Sequence, residues 1–527
     1  MKKRVFFLNA VLLTASALLL RTMNISYRIY LTSKIGAEGM GLYQLVFSVF
    51  VLAITLSTSG ISLAVTRLVS EAIADHQPQM IRSGVRKCLL FSTCLSLSAM
   101  VAMYFSASWV GHSLLGDERV ISSLKILAFG LPFMALCSCL KGYFLAVRGI
   151  VKSAVGEVLE QVVTIGVTVV IFSFFSPSGL EHGCRAIMIG STVGEAISFL
   201  YIYIMYWIHV KQIHKGEHTK KSTGILHKIC HIALPITFSS TLRSGLSALE
   251  NILIPVGFQK YGASSQNSLS EYGMIHGMVM PILYFPSSFL IAFSSLLIPE
   301  MSEANACGHK RFINRATSRS FQLTLLFSIF VTSVFLAFSH ELGMAFYQKE
   351  QAGTLLRLLA PLVPLFYLDS VVDGILKGLD QQLHSLKYNF ADSAIRVVLI
   401  FFLIPYTGNK GYLCVLFFST IFNTTLSIHR LMKVAEVQIK FIDWILKPVL
   451  CGGISTLTVT FLAKILPVSG IADWLLCTVE ILTAGIFYYA LLRISGSFRT
   501  CDREWARSIF LKKKREKNRP FPFHGNL

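Results

Sequence analysis

Two apolar runs of this chain carry arginine well away from their ends. Arg21, Asn24 and Arg28 are spaced i, i+3, i+7 in the run 5–31, so they share one helical face. Arg243 lies in the run 229–257, with Glu250 seven residues on and Asn251 beside it. A guanidinium stays charged at any accessible pH, and its fork matches phosphate oxygens in pairs. Arg21, Asn24, Arg28 and Arg243 are therefore the candidate binding set for an anion such as a pyrophosphate. A competing arrangement has Glu250 neutralise Arg243 and Arg28 snorkel to the outer surface. Acids mark other runs. Glu157 and Glu160 begin 153–175, and Glu195 sits within 186–208. Asp369, Asp373 and Lys377 follow i, i+4, i+8, and Asp392 and Arg396 are placed i, i+4 as a buried ion pair would be. Glu250, Asn389 and Asp392 are the candidate oxygen donors for a coupling cation, Na+ or H+.

What must position these groups is a set of membrane helices. Apolar residue types make up 54% of the 527 residues and charged types only 14%, against about 25% charge in a soluble domain. Fourteen runs are long and apolar enough to span a bilayer, at about 20 residues each: 5–31, 40–66, 88–110, 121–140, 153–175, 186–208, 229–257, 272–298, 320–339, 353–376, 388–405, 412–429, 448–466 and 474–492. The first opens Met1-Lys2-Lys3-Arg4 like a signal peptide, but no small-residue cleavage site follows, which predicts an uncleaved span. Of the 48 Lys and Arg, 35 fall in the termini and every second link, and each of the seven alternate links holds one. That alternation predicts a multi-pass protein with both termini cytoplasmic. It also accounts for the +21 net charge without nucleic acid. The tail from Arg493 has ten basic and three acidic residues, which suits topology and anionic lipid.

The chain repeats itself at an offset of 232. Ser70-Glu71-Ala72-Ile73-Ala74 matches Ser302-Glu303-Ala304-Asn305-Ala306 at four of five positions, and Pro132, Gly142 and Ser153 match Pro364, Gly374 and Ser385. The expected fold is all-α: a first lobe over 1–208, a cytoplasmic linker over 209–228, and a second lobe over 229–433. Two further helices over 434–495 and a basic tail over 496–527 complete it. Parallel repeats of this kind place substrate between the lobes. The sequence contains no GxxxxGK[ST], no HExxH and no Ser/His/Asp pattern, and its eleven cysteines form no CxxC. The expectation is a transporter, with no catalytic residues, no metal site and no organic cofactor. The histidines at 209, 214, 218 and 227 read as a solvated loop.

Four segments carry a family resemblance: Gly36–Phe50 (GAEGMGLYQLVFSVF), Ser59–Ala72 (SGISLAVTRLVSEA), Leu140–Phe144 (LKGYF) and Val155–Ile165 (VGEVLEQVVTI). They resemble the stage V sporulation protein B family, in the polysaccharide-exporter branch of the multidrug/oligosaccharidyl-lipid/polysaccharide (MOP) flippase superfamily. The resemblance covers about residues 5–495. It implies a flippase for an undecaprenyl-linked cell-wall precursor, lipid II, feeding spore-cortex peptidoglycan in the bacterial cytoplasmic membrane. It implies membrane lipids and cell-wall synthases as partners. Arg21 and Arg28 resemble the arginine pair on the first span of related lipid II flippases, and Glu250 and Asn389 loosely resemble that family's sodium site. This chain departs from the pattern on spans 2 and 8, where those relatives carry further arginines. Here span 2 has none before Arg67 and span 8 offers only His276. Two other functions compete with the flippase: a cation-coupled multidrug exporter of the same superfamily, and a non-transporting scaffold for wall synthesis.

Overall fold

The structure is a computed structural model that describes residues 2–74, 78–175, 179–212, 225–435, 440–465 and 473–497. All its regular elements are helices: α1 (Lys2–Ala74), α2 (Pro78–Trp109), α3 (Arg119–Ala128), α4 (Leu131–Ala146), α5 (Ile150–Phe175), α6 (Leu180–Gln212), α7 (Ile225–Lys260), α8 (Ser265–Tyr272), α9 (Met280–Tyr284), α10 (Ser287–Ala306), α11 (Lys310–Ala337), α12 (Ser339–Tyr347), α13 (Glu350–Leu359), α14 (Val363–Gly378), α15 (Gln382–Ala435), α16 (Lys447–Ile465) and α17 (Asp473–Ile494). Among the described residues nine helices are long and apolar enough to cross a membrane. The number rises to eleven if the bent pairs α3–α4 (42°) and α8/α9–α10 (57°) each count as one span. The basic tail from residue 498 on and most of the linker over 209–228 lie outside the described residues.

Two helices differ from the expected pattern of span, link, span. The 73 residues of α1 would run about 110 Å if straight, several times the thickness of a hydrocarbon core. No loop interrupts them; a single residue, Gly36, leaves the helical region at φ 65°, ψ −171°. Gly408 does the same within α15, at φ 58°, ψ −136°. Where the polar residues 32–39 and 406–411 predict links, one glycine suffices, because without a Cβ it turns the chain at positive φ at little cost. Gly36→Ala should lower stability by about 1–3 kcal/mol, the cost of a side chain in a backbone region open almost only to glycine, read as a shift of the thermal midpoint in detergent. At the same turn, Arg119 Nη1 binds Glu38 Oε1 at 2.8 Å and its Nη2 binds Asp117 Oδ2 at 2.7 Å, tying α1 to the start of α3.

The sequence repeat recurs in the helix bounds. α4 and α14 each have 16 residues and begin at Leu131 and Val363, 232 apart. α5 and α15 begin at Ile150 and Gln382, again 232 apart. Pro132 and Pro364 both occupy the first turn of their helix, where a missing N–H costs nothing. The close contacts repeat too. A β-carbon on Gly142 would stand 2.5 Å from the carbonyl oxygen of Ser62, and one on Gly374 would stand 1.8 Å from Oγ of Ser294. Ser62 and Ser294 are themselves 232 apart.

α1 and α7 pack along much of their length. Thr55 and Ser244 share a hydrogen bond at 2.9 Å, and Gly60 lies against the Ala233 carbonyl, 2.3 Å from where its β-carbon would be. Nearer the Gly36 break, Gly41 of α1 meets Gly273, the first residue of the π-helical turn Gly273–Val279. A β-carbon on Gly273 would lie 2.1 Å from the Ala37 oxygen and 2.4 Å from the Gly41 nitrogen. Gly41 and Gly273 are also separated by 232.

Candidate functional site

A cavity of about 710 Å³ opens between the second part of α1, α7, α9, α14 and α15. Its apolar lining combines the aromatic residues Phe47, Tyr284 and Phe366 with Val51, Ala248, Met280 and Leu416; the other lining residues are polar or charged. Hydroxyl and amide groups dominate, among them Gln44, Ser48, Ser247, Asn251, Asn389, Thr420 and Asn423. Six charged residues join them: Arg243, Glu250, Asp369, Asp373, Asp392 and Arg396.

The charges sort into pairs that the sequence shows only in part. Arg396 Nη2 lies 2.6 Å from Asp392 Oδ2, the i, i+4 partner, while its Nη1 reaches Glu250 Oε1 at 3.1 Å across 146 residues. Glu250 and Asp392 are 7% and 4% exposed, so these carboxylates depend on that one guanidinium. Ser419 Oγ donates to the second oxygen of Asp392 at 2.7 Å. One oxygen each of Glu250 and Asp392, two of the residues proposed for a coupling cation, thus faces Arg396, and the third, Asn389, accepts from Asn423 Nδ2 at 3.2 Å.

A second chain of contacts runs beside the first. Lys377 Nζ meets Asp373 Oδ2 at 2.6 Å, and Ser385 Oγ donates to Asp373 Oδ1 at 2.5 Å. Asn389 Nδ2 donates to Ser385 at 3.5 Å, and Asn423 Nδ2 donates to Asp369 Oδ2 at 3.3 Å. Asp369 has no ion pair among the described residues, and neither has Arg243, which is exposed to the cavity on the opposite wall. Glu250 therefore does not neutralise Arg243; it is committed to Arg396.

Of the residues singled out in the sequence, Arg243, Glu250, Asn389 and Asp392 line this cavity. Arg21, Asn24 and Arg28 do not. Arg21 Nη2 donates to the backbone oxygen of Tyr284, whose residue forms part of the cavity wall, at 3.3 Å. Arg28 Nε donates to Asn24 Oδ1 at 3.3 Å, and its Nη1 is buried without a hydrogen-bond partner. Ser419 and Asn423 were missed from the sequence. Their signal was available: Ser419, Asn423 and Ser427 repeat every four residues along an apolar run, a polar stripe on one helical face.

Residues 7–305 match the family model described as polysaccharide biosynthesis protein, more than half of the chain. The chain belongs to that family. A second model, MatE, matches residues 235–402. Stage V sporulation protein B of Bacillus subtilis (strain 168) is 26% identical over 465 residues, covering 86% of this chain and 90% of that one. The lipid II flippase MurJ of the same organism is 22% identical over 397 residues, 70% of this chain and 72% of that protein. A solved structure of lipid II flippase MurJ in an inward closed conformation superposes with a TM-score of 0.69 at 13% identity, over 94% of this chain and all of that one. The protein is a multi-pass membrane transporter of the MOP superfamily.

Proposed function

We propose that this member of the polysaccharide biosynthesis protein family is a flippase for an undecaprenyl-pyrophosphate-linked cell-wall precursor, lipid II, and that it supplies spore-cortex peptidoglycan across the bacterial cytoplasmic membrane. The carrying observation is Arg243, a cation without an ion partner in a cavity whose other arginine is already neutralised. An unpaired guanidinium is suited to a phosphate. The rest of the wall suits a glycan: amides, hydroxyls and the unpaired Asp369 carboxylate bind sugar hydroxyls, and Phe47, Tyr284 and Phe366 offer faces for sugar rings. The names of the two relatives point the same way, since one is a sporulation protein and the other flips lipid II.

In this reading the chain crosses the membrane fourteen times with both termini cytoplasmic. Breaking α1 at Gly36 and α15 at Gly408 adds two spans to the nine, the bent pairs add two more, and α7, with 36 residues, is the fourteenth. Spans 1–6 and 7–12 form two lobes related by the 232-residue repeat. They rock about the α1–α7 seam to expose the cavity to one side and then the other. Arg21, held on Tyr284 in the state described, joins Arg243 on the pyrophosphate as the lobes move, with Asn24 and Arg28 behind it on the same helical face. The polyprenyl tail stays in lipid. No covalent chemistry takes place, and cell-wall synthases act on the delivered precursor.

The test is flipping of labelled lipid II in proteoliposomes. Wild type moves it; Arg243→Ala loses about 10- to 100-fold, the weight of one charge-assisted contact of about 1.5–3 kcal/mol. Wild type flipping no faster than empty vesicles overturns the reading. Arg243→Ala at full rate removes the role given to the cavity.

A further inference from the structure

Four carboxylates line the cavity, Glu250, Asp369, Asp373 and Asp392, against two guanidinium groups, Arg243 and Arg396. Arg396 spans Glu250 and Asp392, and Lys377, from just outside the lining, offsets Asp373. Three cations thus meet four carboxylates, and the empty site is negative. A pyrophosphate alone would deepen that excess, even with Arg21 drawn in. The occupant that suits this site brings a positive charge of its own.

The place for that charge is the wall made by α14 and α15. Asp369 stands on α14, one turn before Asp373. Asn423 of α15 donates through Nδ2 to Asp369 Oδ2 at 3.3 Å and to Asn389 Oδ1 at 3.2 Å. Both neighbours are acceptors, so the amide must turn its NH2 group to them. Asn423 Oδ1 is left buried with no hydrogen-bond partner. Gln44 of α1, across the same cavity, has its Oε1 in the same condition. Buried acceptors left so are costly until a donor reaches them. A sugar hydroxyl brings one donor and no charge. A protonated primary amine brings three N–H donors and the missing charge together. The repeat does not account for the carboxylate either: subtracting 232 from Asp369 gives Cys137, a buried thiol.

We propose that Asp369 and Asn423 form a subsite for a protonated primary amine, so that the cargo is dipolar: its phosphate lies on Arg243 and a free amino group of its headgroup lies on Asp369. The inference rests on the transport reading above and narrows its substrate to lipid-linked precursors whose sugar or peptide carries an unblocked amine. Asp369 is then the residue that sets this specificity. A precursor with the amine acylated leaves the carboxylate without its cation and the Asn423 oxygen without its donor, and the cavity discriminates against it for both reasons.

The test compares two forms of one probe: lipid II with a free lysine amine in its peptide, and the same lipid with that amine acetylated. In proteoliposomes wild type should flip the free-amine form about 10- to 100-fold faster, the weight of one hydrogen bond to a charged group. Asp369→Asn, which keeps the shape of the side chain, should treat the two forms alike. Equal flipping of both forms by wild type overturns the subsite, and a preference kept by Asp369→Asn overturns the residue's part in it. A second assay needs no transport. The soluble uridine-diphosphate muramyl peptide, with the same lysine free or acetylated, should bind the purified full-length protein in detergent with the same preference. Asp369→Asn should remove that preference, whereas Arg243→Ala should weaken both forms alike, because its contact is with phosphate. An amine preference in binding without any lipid II flipping leaves the subsite standing and removes the transport reading alone. Absence of the preference from both assays overturns the subsite.

Discussion

Leucine at Gly273 will abolish transport while the protein remains folded in the membrane. The position admits no side chain in the state described: even a β-carbon would lie 2.1 Å from the Ala37 oxygen and 2.4 Å from the Gly41 nitrogen. Both neighbours are backbone, so no rotamer change relieves the overlap. The partner residue Gly41 is equally exclusive, 2.1 Å from the Leu269 oxygen by the same measure. The two glycines are equivalent under the repeat, so they meet where the proposed lobes would touch on their symmetry axis. A transporter that alternates must make and break such a contact, and a conformation that breaks it has room for leucine. Overpacking costs about 1–3 kcal/mol; at the upper end this depletes the closed state about 100-fold. Flipping assays should therefore show loss at Gly273→Leu and Gly41→Leu, with hydrogen exchange rising around the Gly36 break. Gly166→Leu is the control, because nothing lies within 4 Å of that position. Full activity in both gate variants would mean that the seam need not close.

The second large effect concerns Arg396. Its side chain compensates two buried carboxylates at once, Glu250 at 3.1 Å and Asp392 at 2.6 Å. Truncation to alanine leaves both charges unpaired, at a cost of about 3–5 kcal/mol for a broken buried pair. Arg396→Ala should unfold well below wild type in detergent. Removing the carboxylates as well, with Glu250→Gln and Asp392→Asn on an Arg396→Met background, should recover most of the loss. Buried ion networks replaced as a whole are often neutral, and groups that share a partner are strongly non-additive. A triple variant as unstable as Arg396→Ala would place the stabilisation elsewhere, for example in the packing of the arginine stem.

The chain's class and much of its architecture follow from local properties. Composition and the alternation of Lys and Arg between apolar runs mark a multi-pass all-helical protein, since burial in lipid is decided residue by residue. The repeat was legible because equivalent helices must start and pack alike, and the helix starts at 131 and 363, and at 150 and 382, keep its offset. Links were less legible. Polar residues around Lys34 and Lys410 read as loops, yet a polar segment outside the apolar layer remains helical when one glycine supplies the turn.

Residue types and spacing determined by themselves that this is a multi-pass membrane protein built on a repeat, that arginines stand inside its apolar runs, and that Asp392 and Arg396 lie within reach of each other. Only the tertiary structure decided how the charges are shared. Glu250 went to Arg396 across 146 residues rather than to Arg243 on its own helix. Arg243 kept its charge free in a cavity, while Arg21, Asn24 and Arg28 were left outside its lining. The reason is physical. A spacing along one helix fixes which side chains share a face, but a buried charge is neutralised by whichever opposite group the packing of another helix brings within about 4 Å.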